Sequence, residues 1–193
     1  MTRIFIGLDV PENVERALTR LEYGLADMSW ADPKTFHVTL RFIGDVTDHE
    51  LDIVKFTLGQ IRFNPFKLHL NGVGYFKKRK KCTAIWAGVE ETEELMALTE
   101  DINSKFDTGI NLKKFFSNFK PHITLALPEN HTVKDVQSFV DHNHIFAMRD
   151  IPITEFHLYE SRDTDAGPDY DILETYVAKS PEPEPIKNEA EDA

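Results

Sequence analysis

A four-residue pattern occurs twice in this chain and restricts how the chain can fold. It reads His37-Val38-Thr39-Leu40 and returns 85 residues later as His122-Ile123-Thr124-Leu125. Both copies lie in strand-like stretches, and side chains alternate between the two faces of a strand. The histidine and threonine of each copy therefore share one face, while the two apolar residues point to the other face, which belongs on a core.

The repeat predicts a site that is shared between two halves of the molecule. A single histidine on a strand is more often a hydrogen-bonding structural residue than a catalyst. Two equivalent pairs, one in each half of the chain, instead favour a functional arrangement. If a pseudo-twofold axis relates the halves, the two His/Thr pairs face each other across one cleft.

The remaining hydrophobic pattern predicts a mixture of strands and helices. Short or alternating apolar segments predict strands at residues 3–8, 36–44, 66–74, 83–89, 122–127, 153–160 and 170–177. Helical spacing predicts helices over residues 11–25, after a capping box at 47–50, over 95–106 and over 132–140. The alternation suits antiparallel sheets with one exposed face, and strands and helices do not alternate strictly. We therefore expect an α+β fold.

The charge of the chain limits its partners. The 193 residues carry a formal net charge of −11, so we expect no binding of bulk duplex nucleic acid, for which positive charge supplies most of the affinity. This charge is compatible with binding one RNA end or one small nucleotide through a local patch. No segment approaches the roughly 20 apolar residues of a membrane span, so we expect no membrane contact.

The cysteine content and the first residues indicate a compartment. Cys82 is the only cysteine, which excludes an intrachain disulfide and a multi-cysteine zinc site. One thiol is consistent with a reducing environment. The apolar run at residues 4–8 is too short for a signal peptide, and we expect a cytoplasmic protein.

The end of the chain differs in composition from the rest. Residues 180–193 alternate proline with glutamate and contain five acids and one lysine. Such a segment cannot bury enough apolar surface to offset the entropy lost on ordering. We expect one two-lobed domain over residues 1–179, followed by a disordered acidic tail.

A facing pair of histidines suits acid–base chemistry at a phosphodiester. Imidazole titrates near pH 6.5, so one ring can take a proton while the other gives one. The hydroxyls of Thr39 and Thr124 could donate to the oxygens of a bound phosphate. Two histidines are too few for a metal site, and neither motif has metal-ligand spacing. We expect in-line displacement with His37 and His122 as catalytic residues, and no metal or other cofactor.

A run of five cations, Lys77–Lys81, follows two aromatic residues. One interpretation is a solvated hairpin loop, which is the usual place of a charge run. The other is a patch that follows phosphates beside aromatic rings, as single strands are often held. In the second interpretation, Lys78, Lys80 and Lys81 guide an RNA substrate.

Several blocks of the chain resemble the two-histidine phosphoesterase superfamily. Within it, the chain is similar to the bacterial and archaeal RNA 2′,3′-cyclic phosphodiesterases, also called the 2′-5′ RNA ligase family. The resemblance lies in RIFIGL at residues 3–8 with Pro11, WADPKTFHVTLRFIGDV at 30–46, FKPHITLA at 119–126, and FHLYES at 156–161 with Gly167 and Tyr170. The duplicated His-x-Thr at this spacing is quite specific.

The resemblance implies a bilobed fold in which two antiparallel sheets surround a central cleft, with helices on the outer faces. It implies hydrolysis of a 2′,3′-cyclic phosphate to a 2′-phosphate, in which one histidine activates water and the other protonates the leaving 3′-oxygen. By family analogy His122 is the base and His37 the acid. Thr39 and Thr124 then hold the phosphate oxygens.

One position departs from the family pattern. The second motif often continues to an arginine five residues after its histidine, where this chain has Leu127. The equivalent position in the first motif is Phe42, which fits the usual phenylalanine of the family and could stack on a base or ribose. Arg41 shares the face of His37 only if the strand stays regular. Phe42 and Arg41 are therefore candidate substrate-binding residues.

Two other functions stay open at this point. One is a phosphodiesterase or ligase that acts on 2′-5′ linked oligonucleotides or on another cyclic nucleotide. The other is a nucleotide-binding module with little turnover, which Leu127 mildly favours. The intact His-x-Thr pairs favour an enzyme, because binding alone does not need two titratable groups. We expect a monomer that acts on an RNA end or a small cyclic nucleotide.

Overall fold

A computed structural model describes residues 1–22, 25, 28–109, 119–128, 131–165 and 167–179. The strands in this part of the chain are β1 (Thr2–Asp9), β2 (His37–Val46), β3 (Phe66–Lys78), β4 (Lys81–Val89), β5 (His122–Ala126), β6 (Ala147–Ile153), β7 (Glu155–Thr164) and β8 (Gly167–Val177). The helices are α1 (Glu12–Thr19), α2 (Asp48–Leu58), α3 (Glu93–Gly109) and α4 (Val133–Asn143). None of these helices has the length and apolar character needed to cross a membrane.

The strands form two four-stranded antiparallel sheets, which confirms the α+β prediction. The order is β2-β1-β7-β8 in the first sheet and β5-β4-β3-β6 in the second. The second sheet comes from the middle of the chain, whereas the first combines both ends. The two lobes are therefore not successive halves of the sequence. Each His-x-Thr motif lies at the start of an edge strand, β2 in the first sheet and β5 in the second.

A single apolar core lies behind the two motif strands. The apolar members of the motifs, Val38, Leu40, Ile123 and Leu125, are almost fully buried in this core. The predicted capping box that starts α2 is present, since Thr47 N–H donates to the Glu50 carboxylate at 2.7 Å. Burial of one face of each motif strand leaves the His/Thr face directed away from the core, as the alternation predicts.

The chain that leads into β2 crosses to the second sheet and connects the two lobes. Ala31 N–H donates to the Leu125 carbonyl at 2.9 Å, and Leu127 N–H donates to the Ser29 carbonyl at 3.2 Å. Residues 29–31 therefore cover the outer edge of β5, which protects it from pairing with another chain. Because β2 begins only six residues later, this crossing brings the two motif strands together.

A β-bulge interrupts β2 directly after its His-x-Thr motif. Gly7 pairs with Thr39, whereas the preceding residue Ile6 pairs with Arg41, so Leu40 is the extra residue. A bulge shifts the alternation by one position. Arg41 therefore shares the core face of Ile6, not the face of Thr39.

A second bulge lies at the same motif position in β5. Trp86 pairs with Thr124, whereas Ile85 pairs with Ala126, so Leu125 is the extra residue. Leu40 and Leu125 are 85 residues apart, as the two histidines are, so the bulge is part of the internal repeat. Phe42 and Leu127, which lie two residues after the bulged leucines, are consequently equivalent.

The bulge in β2 overturns the prediction that Arg41 binds substrate. Arg41 is only 1% exposed and donates to Asn103 Oδ1 at 2.8 Å and to Asp107 Oδ1 at 3.1 Å on α3. Its guanidinium also lies 5.4 Å from the centroid of the Phe106 ring. Arg41 therefore fixes α3 to the back of β2 and is separated from the His/Thr face by the sheet itself.

Two other element predictions differ from the structure. The strand β6 was not predicted, because Arg149, Asp150 and Pro152 break its apolar alternation, as is common at a sheet edge. Helix α1 ends at Thr19 instead of continuing to residue 25. After Thr19 the N–H groups of Leu21 and Glu22 bond to carbonyls three residues earlier, which tightens the chain and ends the helix.

Replacement of Arg41 tests its assignment to the core. We expect Arg41→Ala to lower the free energy of unfolding by about 3 kcal/mol, because it removes a buried ion pair and leaves Asn103 without its donor. Urea denaturation measures this loss. The histidine chemistry should persist in the folded fraction; a stable variant that has lost its activity would place Arg41 in the site after all.

Candidate active site

His37 is held in one orientation by hydrogen bonds to both ring nitrogens. A short 3₁₀ turn, Pro33–Thr35, precedes β2, and Asp32 caps it by accepting from Lys34 N–H at 3.0 Å. The turn presents the Thr35 carbonyl, which accepts from His37 Nδ1–H at 2.7 Å. The Nε2 atom then accepts from the Thr39 hydroxyl at 2.9 Å. The proton of the neutral ring is therefore on Nδ1, and Nε2 is directed at the threonine of its own motif.

His122 is held by the equivalent bond in the second lobe. Its Nδ1–H donates to the Lys120 carbonyl, two residues earlier, at 2.6 Å. Pro121 separates the two residues, and a residue before proline is restricted to extended backbone. The same tautomer thus results in both lobes, with Nε2 of each ring available to accept a proton.

The two histidines are close enough to influence each other. Strands β2 and β5 pack side by side. Burial lowers the pKa of His37, and positive charge on His122 lowers the pKa further. We refer to the space between the His/Thr faces of these two strands as the cleft. The packing of β2 against β5 and the influence of His122 on His37 support the prediction that the two histidines share this cleft.

Aromatic side chains form a floor beneath His37. The ring centroid of Phe5 lies 4.7 Å from that of His37, and the ring of Tyr170 meets His37 edge-on at 5.1 Å. Tyr159 stacks on Phe5 at 4.8 Å and is almost fully buried. Burial raises the pKa of the Tyr159 hydroxyl, so this group stays protonated and can act as a donor.

A second aromatic floor lies beneath His122. Phe76 meets the His122 ring edge-on with centroids 4.9 Å apart, and Trp86 lies at 6.3 Å. The ammonium of Lys120 lies 4.2 Å from the centroid of the Trp86 ring. Gly74 makes room for this tryptophan, since a Cβ at that position would overlap the indole. In the described residues, the indole N–H of Trp86 has no protein acceptor.

Unlike charges act on the two histidines. For both rings burial is the largest influence and lowers the pKa below its ordinary value. The Thr35 carbonyl and the carboxylate of Asp9 raise the pKa of His37, whereas Lys120 adds a positive charge that lowers the pKa of His122. The Lys120 carbonyl raises the pKa of His122, as Thr35 does for His37, and the charge of His122 lowers the pKa of His37. Apart from these shared influences, Asp9 favours the protonated form of His37, and the ammonium of Lys120 favours the neutral form of His122.

Thr39 and Thr124 share the faces of their histidines. Thr39 is bonded to His37, and Thr124 pairs with Trp86 on the strand that carries the aromatic floor. Phe42 pairs with Phe5 and is 40% exposed. The bulge therefore moves Phe42 to the cleft face, and the guanidinium of Arg3 lies 5.2 Å from the centroid of its ring.

Leu127 occupies the corresponding position beside the second motif. It is 52% exposed, so an apolar side chain stands at the rim of the cleft at this position. Positive charge beside His122 comes from Lys120, which precedes the motif by two residues and lies over Trp86.

The predicted basic run forms the end of the β3–β4 hairpin. Lys78 pairs with Lys81, and Arg79 adopts a left-handed backbone conformation in the turn with φ of 57°. Lys78 lies two positions after Phe76 and therefore shares its face with the floor beneath His122. Lys80 lies beside the start of α4 instead, where its carbonyl accepts from Val133 N–H at 3.1 Å.

Sequence reasoning missed several residues of this site. Trp86, Phe5 and Lys120 were not predicted as site residues. These residues join the site through strand pairing and through a backbone carbonyl, neither of which a single motif reveals. The sequence offered one signal for Lys120. It stands two residues before His122, just as Thr35 stands two residues before His37.

Metal ligands are not grouped in the part of the chain that the structure describes. No set of three or more His, Cys, Asp or Glu side chains there is arranged to hold an ion.

Comparison with solved structures identifies proteins that share this fold. The crystal structure of TT0787 from Thermus thermophilus superimposes with a TM-score of 0.76 at 24% identity, covering 93% of this chain and 100% of that chain. The apo crystal structure of E. coli LigT superimposes with a TM-score of 0.75 at 22% identity, covering 93% and 98%. These likenesses establish a shared fold.

Sequence comparison finds similar phosphoesterases. The LigT-like phosphoesterase model matches residues 8–86. An RNA 2′,3′-cyclic phosphodiesterase of Thermotoga maritima is 29% identical over 178 residues, which cover 89% of this chain and 92% of the relative. A protein of the same name from Archaeoglobus fulgidus is 26% identical over 178 residues, covering 90% and 99%. The family model and these relatives support the resemblance that the motifs predicted: the chain is similar to LigT-like phosphoesterases.

Replacement of Gly74 tests the floor beneath His122. We expect Gly74→Ala to force Trp86 out of place, to cost about 1–3 kcal/mol of stability through overpacking and to lower kcat/KM about tenfold through misplacement of His122. Urea denaturation and phosphodiesterase assays measure the two effects. The matched control is Gly59→Ala at the end of α2, where φ is −61° and a Cβ meets only ordinary contacts. Equal behaviour of the two variants would contradict the assignment.

Proposed function

We propose that this protein hydrolyses RNA 2′,3′-cyclic phosphate ends to 2′-phosphates by general acid–base catalysis. The observation that carries the proposal is the pair of histidines, each with Nδ1–H tied to a backbone carbonyl and with Nε2 left for proton transfer. The relatives from Thermotoga maritima and Archaeoglobus fulgidus are named RNA 2′,3′-cyclic phosphodiesterases and match nearly the whole chain. E. coli LigT, which shares the fold, was crystallised with 3′-AMP, and this supports a nucleotide as a ligand of the present chain.

The charges beside the histidines support one order of roles. Lys120 favours the neutral form of His122, so His122 is the base that takes a proton from water. Asp9 favours the protonated form of His37, so His37 is the acid. The water oxygen bonds to phosphorus, the bond from phosphorus to the 3′-oxygen breaks, and the 3′-oxygen takes the proton from His37 Nε2. The cycle ends with His122 protonated and His37 neutral, and exchange with solvent restores both.

The threonines and the rim residues bind the substrate in this proposal. Once His37 Nε2 is protonated it no longer accepts from Thr39, so the hydroxyls of Thr39 and Thr124 both donate to the non-bridging phosphate oxygens, where charge develops during displacement. Phe42 offers an exposed ring at the rim for a base or ribose. The exposed Leu127 supplies no charge at the equivalent place, so Lys120 is the cation that stabilises the phosphate on that side.

We also propose a setting for this activity. A monomeric domain over residues 1–179 acts in the cytoplasm on an RNA end or a small cyclic nucleotide, without a cofactor. The net charge of −11 and the buried thiol of Cys82, whose pKa is raised by burial, support this setting.

Histidine replacement tests the reaction. In EDTA, we expect wild-type protein to open 2′,3′-cyclic mononucleotides and RNA that ends in a cyclic phosphate. His37→Ala and His122→Ala should each lower kcat by about 10²–10⁴, because each removes one proton transfer. His49→Ala, at an exposed position of α2, is the control. Wild-type turnover in both variants would refute the mechanism, and cleavage of 2′-5′ linked oligomers alone would change the substrate.

The pH dependence tests the order of roles. Because burial lowers the pKa of both histidines, the alkaline limb of kcat/KM should lie below pH 6.5. Asp9→Asn removes a charge that raises the pKa of His37, so this limb should move to lower pH. Lys120→Met removes a charge that lowers the pKa of His122, so the acidic limb should move to higher pH. Movement of the acidic limb in Asp9→Asn and of the alkaline limb in Lys120→Met would instead reverse the assignment of acid and base.

A further inference from the structure

A groove lies on the side of the second sheet that faces α4, at the end of the β3–β4 hairpin. Its volume is about 490 Å³, and its lining consists of Lys77, Arg79, Lys80, Thr132, Val133, Lys134 and Gln137. Four of the seven lining side chains are cations, and none is an acid. Lys134 comes from a helix more than 50 residues away in sequence, so the fold adds a cation to the basic run.

Strand pairing divides the basic run between the two faces of the hairpin. Lys77 pairs with the buried Cys82 and so lies on the α4 face, where Tyr75 also reaches Gln137 at 3.4 Å. Lys78 pairs with Lys81 on the opposite face, which is the face of the cleft. The hairpin therefore carries positive charge continuously from the cleft, around the turn, to the groove.

Within the described part of the chain these cations are outside the ion pairs, although the charge of Lys134 lowers the pKa of the adjacent Asp135. The six side chains of the hairpin end and the groove form no ion pair there: Lys77, Lys78, Arg79, Lys80, Lys81 and Lys134. The neighbouring Asp135 uses its carboxylate to accept from Thr132 N–H at 2.6 Å. In a chain of net charge −11, a concentration of unpaired cations is a place where a polyanion is accommodated.

We propose that this groove binds the phosphates of the RNA strand that leads to the reacting end. The inference rests on the proposed function of the cleft and names the substrate as an RNA chain, not a mononucleotide. Phe76 touches His122, and Lys78 lies about 7 Å further along the same face of the strand. A strand whose end is held at His122 can therefore pass over Lys78 and Lys81 and turn into the groove.

The surroundings of the cations favour nucleic acid over a lipid surface. Membrane-surface segments place apolar side chains beside their cations so that these can enter the bilayer. Here the aromatic neighbours Tyr75 and Phe76 are half-buried and contact Gln137 and His122, respectively. A concave, cationic groove next to aromatic rings is the arrangement that holds single-stranded nucleic acid.

A comparison of substrate lengths tests the groove. We expect Lys80→Ala with Lys134→Ala to lower kcat/KM about tenfold, through KM, on an RNA of about ten nucleotides that ends in a cyclic phosphate. The same double variant should act on a cyclic mononucleotide within about twofold of wild type, because that substrate fills only the cleft. The control is Lys55→Ala with Lys105→Ala, which removes the same charge from α2 and α3. Equal losses on both substrates, or no loss on either, would overturn the proposal.

A binding measurement separates the groove from the chemistry. Fluorescence anisotropy with the same RNA ending in a 3′-hydroxyl needs no turnover, and the groove variant should bind it about tenfold more weakly than the control variant. The slope of log Kd against log salt should also fall by about 1.4, for two lost phosphate contacts. If no substrate is hydrolysed by wild type, the proposed function fails while this measurement still decides the groove. Unchanged RNA binding, with loss of binding only to phosphatidylserine vesicles, would refute the groove as an RNA site.

Discussion

One hydrogen bond in each lobe determines what the cleft can do. The Nδ1–H of each motif histidine donates to the carbonyl two residues earlier, Thr35 in one lobe and Lys120 in the other. This bond fixes the ring and places the proton of the neutral form on Nδ1. The Nε2 atom then becomes the only ring atom that can exchange a proton with a ligand. The sheets, the bulges and the crossing segment at residues 29–31 serve to bring two such rings to one cleft.

The pseudo-symmetry of the backbone does not extend to the charges. Equivalent strands, bulges and aromatic floors surround His37 and His122, yet Asp9 acts on one ring and Lys120 on the other. Two histidines with identical surroundings would titrate alike, so nothing would assign the acid role to one and the base role to the other. In the proposed reaction, the different neighbouring charges make this assignment, which is a common way to run acid–base chemistry near neutral pH.

The sequence predicted the parts of the site that depend on alternation within one strand. The His-x-Thr pairs, the apolar residues behind them and the capping box at Thr47 follow from local rules. The bulges at Leu40 and Leu125 depend on pairing with β1 and β4, which the sequence does not show. The face of Arg41 could therefore be decided only by the structure, which shows this residue in the core. Strand pairing also determines on which face of its sheet each of Phe42 and Lys77 lies. Lys134 joined the groove only through packing of α4, which no local pattern contains.

Titration of His37 by nuclear magnetic resonance tests most directly whether the two histidines act on each other across the cleft. In the wild-type protein, the ¹⁵N shifts should report the Nδ1–H tautomer and a pKa below the ordinary value, because His37 is buried and faces a second cation. In His122→Gln the pKa of His37 should rise, since the opposing charge is gone. A titration of His37 that does not change on this replacement would contradict the shared two-histidine site.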